Sequence, residues 1–82
     1  MSRDVKAFIL RALWKADGPV TDDTLKGFVR TGFSHVAFPA AELAGYIREC
    51  EEAGWITGTT DDLLGLVWGL TPKGTLRAQQ LA

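Results

Sequence analysis

Several groups of residues in this 82-residue chain have types suited to chemistry, and their spacing decides what they can do. Ser34 and His35 offer a hydroxyl and an imidazole. They are adjacent, and neighbours in sequence rarely form a nucleophile–base pair; no acid is placed to orient the ring. His35 reads as a loop histidine. Cys50 falls at a core position of a helical stretch, where a thiol packs as a small apolar group and stays inert. Asp61 and Asp62 lie in a turn-rich stretch, where adjacent carboxylates read as a solvated turn rather than a cation site. Gly65 and Gly69 are four apart, but in a strand-like segment that spacing is no membrane motif. A lone cysteine excludes an intramolecular disulfide framework and a multi-cysteine zinc site. The inventory therefore points away from catalysis, and neither a metal nor a cofactor is expected.

Binding is what remains, and charge speaks to it. The formal net charge is −1, from nine Lys and Arg against ten Asp and Glu. Residues 1–16 carry Arg3, Lys6, Arg11 and Lys15 against Asp4, a net +3. Residues 17–62 carry three cations, Lys26, Arg30 and Arg48, and a net −6, while residues 63–82 add Lys73 and Arg77. The near-neutral total is a cancellation between basic ends and an acidic middle. No run of about 18 apolar residues is present, so no membrane span is expected. The charged, amphipathic start differs from a signal peptide. Both points favour a cytoplasmic protein, and the initial Met1 fits a complete chain.

The elements that must position these groups follow from periodicity. Val5, Phe8, Ile9, Ala12, Leu13 and Ala16 trace one helical stripe, with Leu10 and Trp14 as a second ridge. Asp17-Gly18-Pro19 stops this helix, Gly18 being suited to the left-handed cap. Thr21 reads as the N-cap of a second helix, with Asp22 and Asp23 in its first turn and Leu25, Phe28 and Val29 on its apolar face. Gly32 ends it. Thr31–Phe38 is a connection with Phe33, Val36 and Phe38 turned inward. Pro39 suits the first turn of a third helix, running to Ala53 with Leu43, Tyr46 or Ile47, and Cys50 at core spacing. Gly54 terminates this helix, and after it the period becomes two. Trp55–Thr57 and Leu63–Leu70 read as strands, residues 58–62 as the hairpin tip, and Leu66, Trp68, Leu70 and Ile56 as the inward face. Thr71 caps a last helix with Pro72 in its first turn, ending near Leu81. The expected fold class is α+β, mostly α, as one domain over residues 1–82.

The string Leu43…Ile47…Cys50-Glu51-Glu52-Ala53-Gly54-Trp55-Ile56, followed by Leu66-Val67-Trp68-Gly69-Leu70-Thr71-Pro72-Lys73-Gly74, resembles the winged helix-turn-helix superfamily of bacterial and phage type. Ile9-Leu10-Arg11-Ala12-Leu13…Gly18-Pro19-Val20-Thr21…Leu25 fits the same family's first helix, short strand and second helix, so the resemblance covers nearly the whole chain. It implies a three-helix core, a two-stranded wing hairpin with a short extra strand, and a closing helix.

It further implies that the helix from Pro39 to Ala53 reads duplex DNA, presenting Ala41, Glu42, Ala44, Gly45, Arg48 and Glu49 to the major groove. Arg48 suits a guanine edge, Ala44 and Gly45 allow close approach, and Lys26, Arg30 and His35 line one edge. Phosphate contacts dominate affinity for DNA, yet Asp22 and Asp23 occupy a helix N-terminus, and Asp61 and Asp62 the wing tip, where the family meets phosphate. Glu49, Glu51 and Glu52 read as a solvated helix end. Two functions are therefore carried forward: a DNA-binding transcription regulator, and a winged-helix module for protein interaction or assembly. In either, the family's use of its first and last helices for dimers implies a homodimer or other protein contact anchored by Leu10, Trp14, Leu76 and Leu81.

Overall fold

A computed structural model describes residues 2–81. The first helix, α1 (Ser2–Ala16), buries Val5, Ile9, Leu10 and Leu13. Leu10 is 1% exposed because α4 packs along that side of α1, so it is a core residue and not the surface anchor the sequence suggests. The left-handed residue that ends α1 is Asp17, at φ 53°, and not Gly18. A side chain there costs energy that glycine avoids. Asp17→Gly is expected to raise the unfolding free energy by about 0.5 to 1 kcal/mol, read from chemical denaturation.

A two-residue strand, β1 (Val20–Thr21), leads into α2 (Asp22–Gly32). Thr21 is the N-cap, its hydroxyl oxygen accepting from the Thr24 amide at 3.2 Å. Leu25 and Val29 are buried; Phe28, expected on the same inner face, is 41% exposed at its edge. Across the connection to α3, aromatic rings form a chain. Phe8 meets Phe33 at 5.4 Å between centroids, Phe33 meets Phe38 at 6.1 Å, and Phe38 meets Tyr46 at 6.2 Å, all edge to face. These contacts tie the turn between the two helices to α1 and α3.

Helix α3 (Ala40–Glu52) takes Pro39 as its N-cap, so it starts one residue later than expected, and it buries Leu43, Ile47 and Cys50. Tyr46 is half-buried, which settles the core position in favour of Ile47. Its end is a Schellman motif: Gly54, at φ +81°, donates to the Glu51 carbonyl, and Trp55 donates to the Cys50 carbonyl at 3.1 Å. The chain then enters a hairpin of β2 (Ile56–Asp61) and β3 (Gly65–Leu70), which completes an antiparallel sheet in the order β1-β3-β2.

The register pairs Ile56 with Leu70 and Asp61 with Gly65, which puts the tip at residues 62–64 rather than 58–62. The Asp61 carboxylate accepts from the Leu63 and Leu64 amides at 2.8 and 2.9 Å, and Gly65 sits at φ +78°, so the turn closes there. Trp68 faces the core, but Leu66 is 41% exposed. Val67, on the other face of the central strand between Thr21 and Thr59, is buried instead.

Helix α4 (Pro72–Leu81) closes the chain. Thr71 caps it as expected, its hydroxyl oxygen accepting from the Gly74 amide at 3.0 Å. The same hydroxyl bonds the carbonyls of Gly54 and Trp55, and the Lys73 ammonium reaches the Ala53 carbonyl at 2.9 Å. The end of α3 and the start of α4 are thereby sewn together.

Candidate nucleic-acid interface

The outer side of α3 carries Ala41, Glu42, Ala44 and Arg48, all exposed, with Gly45 half-buried between them. Glu49, the sixth residue expected on that face, is exposed as well, but its carboxylate is paired with the Lys6 ammonium of α1 at 3.2 Å. Small side chains at Ala41, Ala44 and Gly45 let another molecule approach the helix closely. Glu42 is not free: its carboxylate accepts from the Tyr46 hydroxyl at 2.6 Å. That bond, and burial and the charges of Glu42 and Glu49 behind it, hold the Tyr46 phenol above its ordinary value.

Beside α3 lies a concavity of about 230 Å³ where α2, α3 and β3 meet. Lys26 comes from α2, Arg48 and Glu51 from α3, and Leu66 and Trp68 from the wing. The structure thus brings together two of the cations singled out by sequence, Lys26 and Arg48. Arg30 is exposed four residues further along α2 and does not line this concavity; His35 is exposed in the connecting loop, its ring 6.4 Å from that of Phe33.

Lys26 is not available as a bare charge. Its ammonium pairs with Asp22 Oδ2 at 2.8 Å, and Asp22 Oδ1 accepts from the Trp68 indole N–H at 2.9 Å. Burial alone would raise the Asp22 carboxyl, but the hydrogen bonds from Lys26 and Trp68, and the Lys26 charge, outweigh it and hold the group below the ordinary aspartate range. Asp22 therefore joins the start of α2 to the wing. In sequence Asp22 stands out as a first-turn carboxylate and an obstacle to phosphate; its four-residue spacing to Lys26 is the signal of the pair.

The wing lacks the usual means of meeting DNA. Between Ala53 and Pro72 the chain has no Lys or Arg. Its outer surface presents Asp61, Asp62, Leu63 at 94% exposure, Leu64 at 64% and Leu66. Trp14 opens onto a cleft with Leu70 and Thr75, and Leu76 stands on the side of α4 away from the buried Gly74 and Ala78. Leu81 is half-buried against the core. Cys50 is fully buried, which pushes its thiol up to about 11, with Glu49 adding to the rise and Lys6 opposing it. Among the described residues, no helix is long and apolar enough to cross a membrane.

No family model matches the chain, and no curated protein matches it. Among solved structures it is similar to the circadian clock associated protein Pex from anabaena, with a TM-score of 0.76 and 20% identity over 99% of this chain and 73% of that one. It is also similar to a transcriptional regulator of the MarR family from Silicibacter pomeroyi, with a TM-score of 0.69 and 18% identity over 94% of this chain but 48% of that one. The element order, the sheet topology and these likenesses agree: the chain has the winged helix-turn-helix fold.

Proposed function

We propose that this chain binds duplex DNA as a transcription-regulator type of winged helix, laying the helix of residues 39–53 in the major groove. The observation that carries this reading is the exposed outer side of α3, small at Ala41, Ala44 and Gly45 and ending on Arg48, with Lys26 converging on the same concavity. The likeness in fold to a protein described as a transcriptional regulator supports it. Arg48 supplies a planar fork of donors suited to a guanine edge, and Lys26 and Arg30 supply charge for the flanking phosphates. A regulator of this type works in the cytoplasm, and a contact between copies across α1 and α4 would rest on Trp14 and Leu76, the exposed pair among its four expected anchors.

With so few cations on this side, binding is expected to be modest and its salt dependence shallow, the logarithmic slope lying at about −2 to −4 for two to four phosphates neutralised. Titration of random duplex DNA across a salt series measures both. Arg48→Ala is expected to weaken binding about 5- to 100-fold without altering stability. Wild-type protein that fails to bind duplex DNA at low salt would sink this reading. One observation favours a second: a wing free of cations, with three exposed leucines, suits protein contact better than phosphate.

A further inference from the structure

We propose that copies of this chain associate head to tail, the wing tip of one entering the groove between α1 and α2 of another. The tip is shaped for this. Leu63 and Leu64 are the most exposed large apolar side chains among the described residues, and the bonds from their amides to Asp61 fix the turn that presents them. A preformed tip loses little freedom on docking.

The groove is its counterpart. About 930 Å³ in volume, it is floored by Phe8, Ala12 and Ala16 of α1 and Phe28 and Gly32 of α2, and no wing residue of the same chain lines it. Arg11 and Lys15 stand at its rim. The charges are complementary: Asp61 and Asp62 immediately precede the two leucines, and the Asp61 carboxyl is held below its ordinary range by the Leu64 and Leu63 amides, so it stays ionised. The basic start of the chain and its acidic middle, which cancel within one molecule, would face each other between two. Donor and acceptor surfaces differ, so two reciprocal contacts close an isologous dimer, whereas a single non-reciprocal contact is heterologous and extends to a ring or filament.

Sedimentation of the full chain over a concentration series tests this. Wild type is expected to associate reversibly, more weakly as salt screens the rim. The double substitution Leu63→Asp/Leu64→Asp and the single substitution Phe28→Glu are each expected to weaken association about tenfold or more, with circular dichroism unchanged because all three residues are exposed. An equimolar mixture of the two variants is the decisive arm. Each keeps the surface the other lacks, so the mixture is expected to regain a heterodimer. A wild-type monomer at every concentration, a mixture that stays monomeric, or association abolished by Leu76→Asp instead of by these substitutions would each overturn the proposal. None of these outcomes depends on DNA.

Discussion

Gly74→Ala is expected to lower the unfolding free energy by about 3 kcal/mol, the upper part of the usual range for overpacking. A Cβ at this position would overlap the Trp55 carbonyl oxygen, with the carbonyl carbon at 2.7 Å and the Cα at 3.0 Å. The obstacle is backbone, so no rotamer change relieves it. That carbonyl also accepts from the Thr71 amide at 3.0 Å and the Thr71 hydroxyl at 3.1 Å, and moving it breaks the junction that seats α4. A domain of this size holds roughly 4 to 12 kcal/mol in total, at about 0.05 to 0.15 kcal/mol per residue, so the loss is a large share. Gly27→Ala in α2 is the control of opposite sign. Nothing lies within 4 Å of a Cβ there, and replacing an exposed helical glycine is expected to add about 1 kcal/mol. Urea unfolding of both variants measures the difference; a Gly74→Ala protein as stable as wild type would show that α4 is not seated this closely.

Legibility from sequence tracks the range of the interaction. Gly54 and Thr71 were readable because each acts within a few residues: one takes the left-handed cap position, the other accepts from an amide three residues on. The stripe Val5, Ile9, Leu13 was readable because helical period alone sets it. Leu10 misled because what buries it is α4, a partner far along the chain. The wing misled twice. Gly58-Thr59-Thr60 looks like a turn by composition, yet pairing with β3 draws it into β2, and Asp61 closes the turn further on. The alternation of Leu66 and Trp68 implied a shared inner face, but only Trp68 reaches the core. For the candidate interface, period placed Ala41, Ala44 and Arg48 on one side of α3. Which cations join them was set by packing, which admits Lys26 to the concavity and leaves Arg30 outside.

Asp22 yields the second large effect, and stability and binding are expected to move in opposite directions there. Asp22→Ala removes the acceptor of the Trp68 indole, leaving a part-buried donor unpaired, and also frees the Lys26 ammonium. A loss of about 2 kcal/mol in unfolding free energy is expected. Asp22→Asn keeps an oxygen for Trp68 and removes only the charge, so about 1 kcal/mol is expected to be lost. Acid separates the two contributions further. The Asp22 carboxyl is lowered in the folded state, so its pairing adds stability above the unfolded value and loses it as pH falls through the folded one. Wild type is therefore expected to lose part of its stability below about pH 4, and Asp22→Asn to have a flatter profile there. If the proposed DNA reading holds, the same Asp22→Asn protein binds duplex DNA about fivefold more tightly at low salt. Its salt slope steepens by about one, because a carboxylate has left and Lys26 can meet a phosphate. A variant that loses stability but gains no affinity would show that Lys26 does not face the DNA. The Asp22–Lys26–Trp68 arrangement would then be a clamp that fixes the wing to α2 and nothing more.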